Sequence, residues 1–186
     1  MTRKPARLLV LAVTAAATAA VAPAPAQAAV PYCGITWGST AKVSSVSSAG
    51  TVEGVRAGRH ACFDRLVVDL DGHATFGAYD VRYVSQVQED GSGRAVPVRG
   101  AADLQVVLGA PAYDQEGDPT FDPANDTEVV DLAGYSTFRQ VAWAGSYEGY
   151  TTIALGVRAR LPFRAFVLAG TSSTGPRLVI DVAHRW

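Results

Sequence analysis

Histidine, cysteine and helical periodicity are scarce in this chain, and each scarcity removes a class of function. Its three histidines, His60, His73 and His184, are scattered. None falls in the H-E-x-x-H or H-x-x-E-H spacing that sets zinc ligands on one surface. The strained G-x-S-x-G elbow of serine hydrolases is missing too. Ala144-Gly145-Ser146-Tyr147-Glu148 has alanine where the first glycine belongs, and Gly170-Thr171-Ser172-Ser173-Thr174 lacks the closing glycine. Only two cysteines, Cys33 and Cys62, are present. They lack the partner ligands of a metal site and the adjacent His–Asn pair of a nucleophilic thiol. No stretch sustains a period of 3.6. The best helical window, Ala101 to Leu108, contains Val106-Val107 and is bounded by Gly100 and Gly109, so it reads as a turn followed by a strand.

Basic charge is also short once the leader is set aside. Arg3, Lys4 and Arg7 precede an apolar run from Leu8, and Ala26-Gln27-Ala28 forms an A-x-A site. Residues 1–28 therefore read as a secretory signal peptide cut after Ala28. Pro23 and Pro25 make that run a poor membrane span. Val30-Pro31-Tyr32 before Cys33 is not a lipid-attachment sequence. Three basic and no acidic residues leave with the leader, which moves the formal charge from −1 to −4. A mildly acidic exported chain suits neither nucleic acid nor anionic lipid. The remaining length, about 158 residues, suits one well-buried domain. In an oxidising compartment Cys33 and Cys62 are expected to form one disulfide. Closing a loop of about 30 residues contributes roughly 3–4 kcal/mol in the chain-entropy model.

What the chain does have is a phrase used twice. Arg65-Leu66-Val67-Val68-Asp69 returns as Arg177-Leu178-Val179-Ile180-Asp181. In an extended chain Leu66, Val68 and Leu70 share one face, as do Leu178, Ile180 and Val182. Apolar residues on both faces mark central strands. Further strands are expected at Tyr79–Gln88, Val96–Arg99, Leu104–Leu108, Glu128–Leu132, Thr137–Ala144, Thr151–Arg158 and Phe163–Leu168. The Asp90-Gly91 step suits a tight hairpin. Ser39 to Thr51, small and polar, reads as a loose connection or weak edge strand. The organisation expected is an arm and linker over 29–52 and one domain over 53–186. Many short strands with Gly-rich turns indicate an all-β sandwich or barrel.

Charged and aromatic side chains supply the candidate sites. Asp69 and Asp181 could be a catalytic carboxylate pair. The simpler account is structural: with Val67 opposite Val179 in antiparallel strands, Arg65 faces Asp181 and Arg177 faces Asp69. The loop from Ala110 to Glu128 is rich in carboxylates, and Asp114, Glu116 and Asp118 are its candidate ligands for a weak calcium site. Their spacing departs from the D-x-[DN]-x-[DN]-G pattern. Tyr113 and Phe121 would tack this loop to the body. Around Thr137 to Tyr150, Arg139, Trp143, Tyr147, Glu148 and Tyr150 form a candidate recognition surface, because aromatic faces flanked by polar groups stack on sugars or partners. Strict alternation places Arg139, Val141 and Trp143 on one face and Phe138, Gln140 and Ala142 on the other.

DRLVVDL near the start and FRAFVLAG with GPRLVIDV at the end together resemble the AMIN domain, an envelope-targeting module. The closer likeness is to the AMIN-like domain of exported actinobacterial proteins. It covers VRAGRHACFDRLVVDLDG, VRYV, DGSGRAVPVRG, STFRQVAWAGSYEGYTTIALGVRARLPFRAFVL and RLVIDV, nearly everything from Val55 to Trp186; CGITWGS in the arm also fits. FRQVAWAGSYEG is the specific part, whereas RLVID alone recurs in many β proteins. The resemblance implies a two-sheet β-sandwich and association with the envelope. It implies no active site, because the amidase activity of AMIN-bearing enzymes resides in a separate zinc domain missing here. The expectation is a secreted, non-enzymatic monomer that binds peptidoglycan or another wall glycan, with no cofactor. A module that recruits or regulates another exported protein is the alternative; a secreted hydrolase and a small-molecule carrier rank below it.

Overall fold

The two copies of the repeated phrase become neighbouring strands at the centre of one sheet. The computed structural model describes residues 31–46, 48–72, 75–171 and 174–186. The leader, His73, and Ser172 and Ser173 of the Gly170–Thr174 motif lie outside the described residues. Strands are β1 (Lys42–Ser45), β2 (Val52–Arg59), β3 (Phe63–Leu70), β4 (Ala78–Val84), β5 (Val87–Gln88), β6 (Ala95–Val96), β7 (Ala102–Leu108), β8 (Phe138–Tyr147), β9 (Tyr150–Val157), β10 (Phe163–Leu168) and β11 (Arg177–Ala183). They form a five-stranded sheet in the order β1-β4-β7-β9-β8 and a four-stranded sheet in the order β10-β11-β3-β2. The β5–β6 hairpin stands apart from both. All pairings are antiparallel, and the fold is an all-β sandwich.

Antiparallel β3 and β11 pair with Val67 opposite Val179, Arg65 opposite Asp181 and Arg177 opposite Asp69. That register sends Leu66, Val68, Leu70, Leu178, Ile180 and Val182 inward, where they meet Val81, Leu104, Val106, Leu108, Ile153, Leu155 and Val157 of the other sheet. Each fully buried side chain of this size stabilises the fold by about 1.5–3 kcal/mol. On the far side of the five-stranded sheet, Val87 packs on Ala142, Ala144 and Ala154. Small residues there let the β5–β6 segment lie close. Gly156 is the extreme case: a Cβ would meet the Arg99 carbonyl oxygen at 2.0 Å.

Several expected elements change shape. Tyr79–Gln88 is not one strand: it breaks at Ser85-Gln86 so that the chain can leave the sheet and cross its outer face as β5. Glu128–Leu132 is no strand either. It runs beside β8 with single backbone bonds, from Val129 N–H to the Val141 oxygen at 2.9 Å and from Trp143 N–H to the Asp126 oxygen at 2.7 Å. An Asn125 side-chain turn, its Oδ1 accepting from Thr127 N–H at 3.0 Å, starts this irregular path. In the opposite sense, β2 escapes easy recognition because Gly54, Ala57 and Gly58 dilute its pattern, yet it pairs along β3. The Ser39–Thr51 stretch contributes β1, an edge strand paired only with β4.

The arm is fixed at several points. Cys33 and Cys62 are disulfide-bonded. Phe163 N–H donates to the Gly38 oxygen at 2.9 Å, and the Trp37 and Phe63 rings lie 5.9 Å apart. A second fastening joins the two sheets. The Tyr83 hydroxyl of β4 donates to the Leu161 carbonyl at 2.8 Å and accepts from Leu161 N–H at 3.1 Å, while its ring meets Phe163 edge-on.

Burial pushes the Tyr83 phenol up to about 12. Because the raised pKa belongs to the folded state, the neutral phenol's contribution is complete below the ordinary value of 10.0 and is lost as pH rises through about 12. We expect Tyr83→Phe to lose about 1 kcal/mol at neutral pH. Urea unfolding repeated across the alkaline range should show that the gap between parent and variant closes there. A gap that stays constant to high pH would contradict the assignment.

Candidate binding surface

Of the five residues expected to form a recognition surface, three are exposed and two, Arg139 and Trp143, are half-buried. A bulge at Arg139 shifts the alternation of β8, so Phe138 lies opposite Val157 and Val141 opposite Leu155, both toward the core. Strict alternation had put Phe138 and Val141 on different faces. The bulge is held by Asp64, fully buried, whose Oδ2 accepts from Thr137 N–H at 2.5 Å and Phe138 N–H at 3.1 Å. Nε2 of His184 lies 3.1 Å from the other oxygen. Arg139 then turns back on its own chain and donates to the carbonyls of Phe138, Tyr135 and Ser136 at 2.8, 3.4 and 3.3 Å. Trp143 pairs with Ile153 on the core side and meets Phe121 edge-on, with ring centroids 5.3 Å apart. Both side chains thus contact the body of the fold and keep a solvent-facing part, and Trp143 borders a surface pocket with Ala142 and Asp126.

Tyr147 and Tyr150, by contrast, are 52% and 54% exposed and stand opposite each other at the β8–β9 turn. Only Glu148 and Gly149 join them, with φ of +48° and +84°. Positive φ at both central positions defines a tight turn whose twist matches the flanking strands. Glycine adopts that conformation freely, but a glutamate there is strained. Tyr147 lies against Gly91 of the β5–β6 hairpin, where a Cβ would come within 3.1 Å of the ring. The neighbouring Asp90 carboxyl is pushed up from its ordinary value by burial, with the Glu148 charge adding to the shift. The tip is therefore acidic as well as aromatic.

The acidic loop reaches the same end of the molecule. Tyr113 accepts a hydrogen bond from Gly149 N–H at 3.0 Å, and Ser146 accepts from Ala112 N–H at 2.9 Å. Beside this junction lies a cleft of about 760 Å³ whose walls include Thr51, Asp71, Tyr113, Asp114, Gln115 and Gly149. Such a volume falls in the range of small-molecule or saccharide sites. Sequence reasoning missed Thr51, Asp71 and Asp90 because they come from distant turns that only the fold brings together. Asp114 Oδ1 is occupied by Glu116 and Asp118 N–H groups at 3.0 and 2.8 Å, which shapes the loop around itself. Among the described residues no three His, Cys, Asp or Glu side chains are grouped to hold a metal. Ser146 donates to the Tyr150 carbonyl at 3.0 Å and lies 3.0 Å from the Thr151 hydroxyl, with no base in its hydrogen bonds.

The four repeat charges divide unequally. Arg65 grips Asp181 with Nε and Nη2 at 2.6 and 2.9 Å, and Arg164 reaches the same carboxylate at 2.7 Å. Asp181 is fully buried. Asp69 faces Arg177 in register but is held instead by Arg56, at 2.7 and 3.1 Å. The expected Arg177–Asp69 contact is absent because Arg56, from β2, occupies that carboxylate first.

The two-sheet sandwich thus carries two exposed tyrosines at the β8–β9 turn, beside a cleft that Gly149 borders. The chain belongs to the AMIN-like domain family, whose model matches residues 10–184. Neither the curated proteins nor the solved structures yield a match. Family membership suggests a cell-wall-associated module, and domains of this kind are generally non-catalytic. A disulfide fits an extracytoplasmic setting. Among the described residues no helix is long and apolar enough to cross a membrane.

The unequal burial of the two carboxylates gives a direct test. Removing Asp181 strands two guanidinium groups against the sheet, so Asp181→Ala should cost about 3–5 kcal/mol. Asp69→Ala, at a more exposed pair, should cost about 1 kcal/mol or less. Denaturant unfolding of both variants checks the ordering; equal losses would refute it.

Proposed function

We propose that this chain is an exported, non-enzymatic module that binds peptidoglycan or a related wall glycan through the β8–β9 tip. The carrying observation is the pair of half-exposed tyrosines, Tyr147 and Tyr150, held side by side by a strained two-residue turn whose Gly149 borders a cleft of about 760 Å³. Half-exposed aromatic rings present an apolar face and a polar edge, the combination that a sugar ring matches. Glu148 and Asp90 supply carboxylate acceptors for sugar hydroxyls or amide N–H groups nearby. The tight turn means little ordering is required on binding, which favours affinity without new contacts. Family membership supports the wall as the setting.

Recruitment of another exported protein is the second reading. It is favoured by the open side of edge strand β1, where Val43 is 59% exposed and its backbone is free for strand addition.

Co-sedimentation of the mature protein with purified sacculi at moderate salt separates these readings. We expect the parent to pellet, and Tyr147→Ala with Tyr150→Ala to weaken pelleting by roughly tenfold, which corresponds to about 1.4 kcal/mol. Thermal midpoints should be nearly unchanged, since both rings are outside the core. Absence of pelleting would remove the glycan reading and favour the protein partner. Pelleting unaffected by the double variant would move the site elsewhere, and release of soluble muropeptides would replace binding with hydrolysis.

A further inference from the structure

The outward face of the four-stranded sheet carries cations that the fold does not neutralise. Arg56, Arg65, Arg164 and Arg177 project there around Val67 and Val179, which are buried although they point away from the core. Two carboxylates answer them. Asp181 takes Arg65 and Arg164, and Asp69 takes Arg56. Arg177 is left over: among the described residues it makes no hydrogen bond, ion pair or ring contact, and its Nε is shielded from solvent with no protein acceptor.

Arg177 lines a groove of about 280 Å³ together with Arg56, His60, Arg65 and Leu168, floored by Val67 and Val179. No carboxylate is part of the lining. Arg56 and Arg65 are paired with Asp69 and Asp181, so the unneutralised charge of the groove is that of Arg177, set over an apolar floor that strengthens its field. A guanidinium presents parallel N–H donors that match the two oxygens of a carboxylate or phosphate. An arginine kept for sheet stability would pair with Asp69, its cross-strand neighbour. The fold gives that carboxylate to Arg56 and keeps the Arg177 donors unused.

We infer that this groove is an oxyanion site, in which Arg177 takes one carboxylate or phosphate group of a ligand, flanked by Arg65 and His60. The volume is below that of a typical whole-ligand pocket, so it accommodates one acidic group of something larger. The site lies on the other sheet from the tyrosine tip and does not depend on the glycan reading.

The test is a titration of ¹⁵N-labelled protein at constant ionic strength, once with inorganic phosphate and once with acetate. The Arg177 Nε–Hε resonance and the Val67 and Val179 amides are followed. We expect saturable shifts, weakened about tenfold in Arg177→Lys, which keeps the charge but loses the fork, and abolished in Arg177→Gln. Arg82→Gln, on the other sheet, should titrate like the parent. Saturation by phosphate alone identifies a phosphate ligand, by acetate alone a carboxylate, and by both the shared chemistry. Shifts that remain linear with concentration, or that persist in Arg177→Gln, overturn the site. Thermal melts supply a second reading: Arg177→Gln should match or exceed the parent midpoint while Arg65→Gln falls. An equal fall in both would make Arg177 a structural cation and overturn the proposal.

Discussion

One buried carboxylate sets the alignment on which the rest of this molecule depends. Asp181 sits without solvent contact between Arg65 of β3 and Arg164 of β10, and so ties three strands of one sheet together by their outer faces. The net energetic worth of a buried ion pair is small, because desolvation offsets most of the attraction. Its value here is register. Sliding β11 by one residue against β3 would turn Leu178, Ile180 and Val182 to the outside and leave Asp181 without its cations. The hydrophobic pattern and the ion cluster reject the same slip, so each reinforces the other.

With that sheet aligned, the two outer faces acquire different characters. The five-stranded sheet is partly roofed by the β5–β6 segment, which is why its outer residues are alanine and glycine where the roof descends. The four-stranded sheet has no such roof. Arginine stems and aromatic rings cover it instead, with Arg65 and Arg164 over Phe63 and Phe166 at centroid distances of 5.0–5.8 Å. Stacked guanidinium groups bury Val67 and Val179 while keeping charge at the surface. The result is a basic sheet face on one layer and an acidic, aromatic tip at one end of the other.

The repeat was legible because it obeys local rules: β-branched residues, period 2 and opposite charges at matched positions lead to the observed register without knowledge of any other strand. The disulfide was legible for a similar reason, since two cysteines allow one pairing. Trp143 and Arg139 were not, because the bulge at Arg139 changes the phase of β8, and that bulge is anchored through Phe138 by Asp64, 74 positions earlier in the chain. Nothing near Arg139 signals it. Glu128–Leu132 has strand composition but lacks a partner offering a continuous ladder, so it packs by side chains instead. The cleft was invisible for the same physical reason as the bulge: Thr51, Asp71 and Asp114 belong to separate turns that meet only after the sheets have paired.

Where this chain departs from the local rules is itself informative. Most of its polar groups are satisfied and most of its strands have compatible residues, yet Glu148 occupies a left-handed conformation, Asp90 has a buried oxygen without a partner, and Arg177 has a buried nitrogen without one. A non-glycine residue in that backbone region costs of order 1–3 kcal/mol, and an unsatisfied buried polar atom costs about 1–3 kcal/mol. Such costs persist when the surrounding structure over-determines them, and they cluster at working surfaces. Glu148 and Asp90 meet at the tyrosine tip, while Arg177 lies in the basic groove. The core carries none of these exceptions among the described residues. The other left-handed residue, Cys33, lies in the arm where the disulfide to Cys62 fixes it, so the exceptions at the tip and the groove are the ones no covalent link accounts for.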